Sequence, residues 1–283
     1  MAGRSAFELT TEERHLSSDE VEDLLRFIEQ TKTIVVGGQA LALWCRLFLD
    51  RDPKIAAYYS LSSDDLDVFG SAGEAKSLAQ HLADAELLIP EAWDNSPNAA
   101  VVMGRLGNHR IRVDYMRAVL GVTDATLKNN YVTLTKETGR GPLSMHLMHP
   151  MDCLRSRLSN INDLHREGLH AISSAKAALA VTDLFIDQTI ALGNSREAQA
   201  MLMNLVYIGR DRCIGKPAHT KFGLNTSDIL SKYRIDIRLD NRFRSHQLAN
   251  ALKMLAKKIE IANRRNKPPD DSTPHDDAPA PQN

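Results

Sequence analysis

The chain has 283 residues, of which 43% are hydrophobic and 25% are charged, and its formal net charge is −1. These values are typical of a soluble protein with one large or two smaller domains. They exclude a strongly basic or acidic chain, so any nucleic-acid surface would have to come from a local patch of charge. Aromatic residues make up only 5%, which argues against a stacking platform for single-stranded nucleic acid.

The first 148 residues alternate between strand-like and helix-like patterns. After a polar lead-in over residues 1–16, helix-capping residues at 17–20 predict the start of a helix. Further helices are predicted over residues 39–49 and 72–83. Strands are predicted over residues 33–36, 65–69, 86–89, 99–106, 109–116, 131–135 and 143–147. The Gly107-Asn108 dipeptide favours a tight hairpin turn between two of them.

From Pro150 onwards the pattern becomes helical, because apolar residues recur every three to four positions. Helices are predicted from residue 150 and over residues 165–193, 195–213, 226–233 and 241–265. The segment 267–283 is rich in proline and acidic residues and cannot build a core, so disorder is expected there. The predicted class is α+β, with a mixed sheet and flanking helices over residues 17–149 and a helical bundle over residues 150–266.

The cysteines and the N-terminus bear on the compartment. Cys45, Cys153 and Cys213 are widely spaced and lie in apolar helical contexts, which favours reduced packing residues over disulfides or a zinc site. No apolar stretch of about 18 residues is expected, and the polar N-terminus lacks a signal-peptide core. We therefore expect a cytoplasmic protein without a membrane span.

Two adjacent glycines separate the first predicted strand from the helix that follows it. Gly37 and Gly38 can adopt positive φ and allow a phosphate to approach the backbone closely. A helix that begins there offers free N–H groups and the positive end of its dipole to an anion. A tight turn without a ligand explains the same pattern, and the segment matches neither a P-loop nor a dinucleotide fingerprint.

Three aspartates in apolar runs are the candidates for chemistry. Asp65 and Asp67 share one face of a strand because successive side chains alternate, and Asp114 lies in another strand with Arg110 and Arg112 on its face. Neighbouring carboxylates repel unless a cation lies between them. If the two strands are neighbours, the three carboxylates suit a site for two divalent cations about 3.5–4 Å apart. Asp-x-Asp pairs alone are common in surface loops.

These features resemble the nucleotidyltransferase superfamily related to DNA polymerase beta in its small bacterial forms, most closely the AbiE-type (AbiEii-like) toxins. The matching residues are Gly37 to Leu43, Ser63 to Phe69 and Val113-Asp114, within a likeness that covers roughly residues 20–165. The resemblance implies that Asp65, Asp67 and Asp114 bind Mg²⁺ or Mn²⁺ and are catalytic. It also implies that Gly37, Gly38 and Ser63 contact a nucleoside triphosphate.

The resemblance implies transfer of a nucleoside monophosphate to a hydroxyl of RNA, tRNA or protein. It also implies the role of a toxin with a cognate antitoxin. Relatives carry a lysine on the helix after the sheet, where this chain has Arg155 and Arg157; these arginines and Arg112 are the predicted phosphate contacts. The gap between Gly38 and Asp65 is also longer than in compact members. A non-catalytic binding module therefore stays as the alternative, and a metal-dependent nuclease is a third, weaker one.

Overall fold

The computed structural model describes residues 18–31, 33–58, 66–91, 93–107 and 109–266. The α+β class predicted from the sequence is confirmed: helices accompany a mixed seven-stranded sheet. The predicted site residues Ser63 and Asp65 lie outside the described residues, as do the lead-in and the acidic tail from residue 267.

Each predicted strand corresponds to an observed one. The strands are β1 (Ile34–Val35), β2 (Leu66–Phe69), β3 (Ala83–Leu88), β4 (Asn98–Leu106), β5 (His109–Met116), β6 (Val132–Thr138) and β7 (Gly141–Leu147). Their order across the sheet is β3-β4-β5-β2-β1-β7-β6. β2 pairs with β5, and β1 with β7, in parallel; the other neighbours are antiparallel. The β4–β5 hairpin forms where the glycine turn predicts it.

The long helices also lie where the apolar periodicity places them. The helices are α1 (Ser18–Thr31), α2 (Gly37–Phe48), α3 (Ile55–Tyr58), α4 (Ala72–Ala79), α5 (Asp124–Asn129), α6 (Pro150–Asp163), α7 (Leu169–Ala191), α8 (Ser195–Arg210), α9 (Gly215–Lys221), α10 (Thr226–Arg234) and α11 (Ala249–Asn266), the last preceded by a π-helical turn over Phe243–Leu248. The short helices α3, α5 and α9 were not predicted, since 4 to 7 residues carry too little periodicity.

The sheet and the helices after residue 150 share one continuous core. Trp44 of α2 donates its indole N–H to the carbonyl of Met148, 2.9 Å away, and its ring lies edge-on to Phe185 of α7 at 5.3 Å. Met151 and Leu154 of α6 are buried in the same cluster. Helix α6, which follows β7 directly, is therefore fixed against both the sheet and α7.

Helix α7 is apolar enough to qualify as a membrane span by composition, with a mean hydropathy of 1.3 over 18 residues. The expectation that no stretch reaches this length is therefore wrong. Of this apolar window, 39% is buried inside the protein, and the carboxylates of the helix bind cations from other elements. Asp187 contacts Arg51 at 2.6 Å and Arg238 at 2.7 Å, and Asp183 contacts Lys232 at 2.9 Å. These pairs are typical of a core helix in a soluble protein.

The turn between β1 and α2 needs a glycine at its first helical residue. Gly37 has φ of +63°, and a Cβ there would lie 2.1 Å from Oδ2 of Asp67. The N–H of Val36 donates to the carbonyl of Asp67 over 2.9 Å, which holds the turn against the start of β2. A side chain at position 37 would separate these two segments.

His149 caps the helix that follows β7. Its Nδ1 accepts a hydrogen bond from the N–H of Met151 over 3.1 Å, so this nitrogen carries no proton. The side chain is buried, with its ring edge-on to Phe185 at 4.9 Å. Burial lowers the pKa of His149 to about 4, because desolvation penalises the charged imidazolium.

We expect Gly37→Ala to lower the free energy of unfolding by about 2 kcal/mol or more, since alanine is strained at positive φ and its Cβ meets a carboxylate oxygen. Urea unfolding of the full chain measures this. Gly139→Ala is the matched control, because a Cβ there contacts nothing within 4 Å. Equal stability of the two variants would contradict the packing described at Gly37.

We expect His149 to make the protein less stable as the pH falls from 6.5 towards 4. The unfolded chain protonates this histidine near its ordinary pKa of 6.5, while the folded chain resists protonation down to about 4. The native state therefore loses up to about 3 kcal/mol across this window. Urea unfolding at several pH values should show a shallower dependence for His149→Asn, which can still cap the helix. Parallel profiles of the two proteins would refute this assignment.

Candidate functional site

Two of the three predicted carboxylates lie side by side on neighbouring strands. In the parallel pairing of β2 with β5, Asp67 is the direct partner of Asp114. Residues paired in this way point to the same face of a sheet. Their neighbours Val68 and Val113 point to the opposite face and are fully buried. The apolar alternation that buries these valines therefore places both carboxylates together.

The glycine turn completes this arrangement. Gly37 lies against the Asp67 carboxylate, so the first turn of α2 begins beside the paired aspartates. Its N-cap residue is Val36, which offers no side-chain hydrogen bond, and no acidic residue lies in the first turn. The positive end of this helix dipole therefore faces Asp67 without a cap of its own, which favours negative charge there.

Asp114 already has a cationic partner. Arg112 donates from Nε to Oδ1 over 2.8 Å and from Nη2 to Oδ2 over 3.1 Å, and Asn98 lies 3.5 Å from the same Oδ2. The Asp114 side chain is 13% exposed and that of Arg112 is 47% exposed. This forked pair compensates one carboxylate charge in the absence of a ligand. A cation or phosphate entering the site would compete with it or share it.

Arg112 was predicted to bind phosphate, and the structure directs its guanidinium to Asp114 on its own strand. Arg110 lies two residues earlier on the same exposed face of β5, opposite Arg105 of β4. This face of β5 therefore carries two arginines followed by an aspartate, next to the glycine turn. Asn98 was not predicted as part of the site, because nothing in its local sequence indicates that β4 begins beside Asp114.

The two arginines of α6 were also predicted to bind phosphate, and their described contacts lie away from the carboxylate pair. Arg155 donates to Oδ1 of Asn204 on α8 over 3.0 Å, so its guanidinium contacts the helices that follow residue 150. Arg157 is half-buried near Cys153, where its charge opposes the burial that raises the pKa of that thiol. The described contacts give neither arginine a position at the carboxylates, which does not favour the predicted phosphate role.

The donor set fits a divalent cation in part. Asp67 and Asp114 supply adjacent carboxylates, which are the hard oxygen ligands that Mg²⁺ and Mn²⁺ prefer. Among the described residues there is no group of three His, Cys, Asp or Glu side chains that could hold a metal. The third predicted carboxylate is that of Asp65, which belongs to the segment that the structure does not describe.

Comparison of the chain with protein-family models, with curated proteins and with solved structures finds no match. The likeness to nucleotidyltransferases therefore depends on the residues and the geometry described above.

Proposed function

We propose that the protein is a metal-dependent nucleotidyltransferase that moves a nucleoside monophosphate from a triphosphate to an acceptor hydroxyl. The observation that supports this most directly is the in-register pair of Asp67 and Asp114 beside the turn at Gly37. In this proposal the sheet is nucleotidyltransferase-like, and residues 150–266 form its C-terminal helical bundle.

Each group of residues in the site would have its own role in the reaction. Asp67 and Asp114, with Asp65, would hold Mg²⁺ or Mn²⁺, which when bound supplies neutralising charge for the phosphates. The backbone of Gly37 and Gly38 at the start of α2 would bind the triphosphate at the positive end of the helix dipole. Asp114 would accept the proton of the acceptor hydroxyl. The hydroxyl oxygen would form a bond to the α-phosphorus, the bond from that phosphorus to the β-phosphate oxygen would break, and pyrophosphate would leave. Alignment and charge compensation carry most of such a reaction.

The acceptor and the biological role are the less specific part of the proposal. RNA, tRNA or a protein side chain would be the acceptor, and the chain would act in the cytoplasm as the toxin of a toxin–antitoxin or phage-defence pair. This part follows from the likeness to AbiE-type proteins, and a fold does not by itself define a function.

One observation favours the alternative of a non-catalytic binding module. The forked contact between Arg112 and Asp114 satisfies both oxygens of a carboxylate that the catalytic proposal assigns to metal. A protein that binds a nucleotide or a partner without turnover could keep this pair permanently. The two functions therefore differ in whether a cation displaces Arg112.

We expect Asp67→Asn and Asp114→Asn each to reduce Mg²⁺-dependent transfer of a labelled nucleoside monophosphate to RNA or protein by about 100-fold or more, since a metal ligand is lost. Asp163→Asn, at the exposed end of α6, is the matched control for the same chemical change. Thermal unfolding monitors the fold of each variant. Full activity in Asp67→Asn would reject the catalytic proposal.

We expect Arg112→Gln to bind Mn²⁺ several-fold more tightly than the parent protein, because the competing cation on Asp114 is removed. Electron paramagnetic resonance of free Mn²⁺ measures this binding without reference to activity. Arg110→Gln removes the same charge from the same face and serves as the control. If neither the parent nor Arg112→Gln binds Mn²⁺, the binding module is the better description of this site.

A further inference from the structure

A second charged site lies in the helical half of the protein. The end of α8, helix α9 and the last turns of α11 enclose a cavity of about 230 Å³. Arg210, Arg212, Lys216 and Lys258 line this cavity, which we call the basic pocket, and none of its lining residues belongs to the sheet. It is therefore formed independently of the site at Asp67 and Asp114.

Two glycines bring the walls of the basic pocket together. A Cβ on Gly209 would lie 2.4 Å from Oγ1 of Thr226 and 3.2 Å from Nε2 of His219. A Cβ on Gly215 would lie 2.1 Å from the carbonyl oxygen of Ile208. Because both positions lack side chains, α9 packs closely against the end of α8. Lys216 and His219 of α9 thus face the same cavity as Arg210.

The positive charge of the basic pocket has no described counter-charge. No carboxylate lines the cavity, and among residues 18–266, apart from the short gaps noted above, none of the four cations forms an ion pair. The neighbouring acids have other partners: Asp211 accepts from the N–H groups of Cys213 and Ile214, and Glu260 pairs with Arg264. Like charges that share a concave surface repel each other, so a bound anion would stabilise this arrangement.

Hydrogen-bond donors in the wall point to the same kind of ligand. Lys258 donates to the carbonyl oxygen of Arg210 over 3.3 Å, which holds its ammonium beside the end of α8. Nε2 of His219 lies 3.3 Å from Oγ1 of Thr226, and this contact fixes the ring in the wall of the cavity.

We propose that the basic pocket binds a phosphate group of a nucleotide or of a nucleic-acid strand. Arginine forks and lysine ammonium groups are the usual partners of phosphate oxygens, in the monoester of a nucleotide as in the diester of a strand. A monoester carries close to two negative charges and so compensates more of this charge than a carboxylate. The cavity is smaller than typical sites for whole drug-sized ligands, so the phosphate enters it while the rest of the ligand stays outside. This site does not depend on the proposed transferase activity.

Titration of the full chain at low salt tests this proposal. The probes are inorganic phosphate, adenosine monophosphate and a short single-stranded oligoribonucleotide without a terminal phosphate. Calorimetry measures binding of the first two, and fluorescence anisotropy measures binding of the labelled oligoribonucleotide. We expect the double variant Lys216→Gln and Lys258→Gln to lose about tenfold or more in affinity for the probe that binds. The double variant Lys253→Gln and Lys257→Gln is the control, because these exposed lysines of α11 lie outside the pocket.

The outcomes show whether the pocket binds phosphate at all and, if it does, which kind of ligand carries that phosphate. Binding of adenosine monophosphate that is lost in the pocket variant indicates a free nucleotide, and loss for the oligoribonucleotide alone indicates a strand. Asp67→Asn should bind each probe as the parent does, which distinguishes this pocket from the transferase site. Equal affinity of the two lysine variants, or affinity weaker than about 1 mM for every probe, would overturn the proposal. Arg212→Gln serves as a second variant should the lysine double variant unfold.

Discussion

The absence of a side chain at residue 37 is the constraint on which the candidate site depends. Gly37 turns the chain from β1 into α2 in a space already occupied by Oδ2 of Asp67. Any other residue would separate the helix from the strand that carries the aspartate. With glycine, the N-terminus of a helix meets a carboxylate, so a region that favours anions and a ligand for cations lie at one point.

The parallel pairing of β2 with β5 adds a second carboxylate and creates an electrostatic problem. Asp67 and Asp114 are register partners, and adjacent negative charges raise each other's free energy when no cation is near. At Asp114 the negative charge is compensated by Arg112, whose guanidinium donates hydrogen bonds to both carboxylate oxygens. Because Arg112 is about half exposed, it can be displaced at modest cost by a competing cation. Whether Asp114 binds a metal cation or stays paired with Arg112 therefore decides between a catalytic site and a binding surface.

Residue alternation was sufficient to predict most of the sheet, including the hairpin that places Asp114 on β5. Spacing along one chain could not reveal which strands are neighbours, so the pairing of Asp67 with Asp114 was an assumption until the sheet order was known. The position of Asn98 and the contact of Arg155 with Asn204 arise from long-range packing and have no local sequence signal. The sequence does not show α7 as a continuous apolar stretch, because charged residues interrupt it although its mean hydropathy is high. Helix α9 was not predicted, because seven residues carry too little periodicity.

The near-zero net charge hides a separation of charge between the two halves of the fold. Paired carboxylates lie on the sheet, while arginines and lysines that form no ion pair within the described part of the chain line a cavity between α8, α9 and α11. Both features depend on glycines that allow close backbone approach, at Gly37 in one case and at Gly209 and Gly215 in the other. A total charge of −1 would suggest little attraction to phosphate, yet local fields decide binding. Because no shared side chain links the two sites, a substitution in one should leave the affinity of the other unchanged.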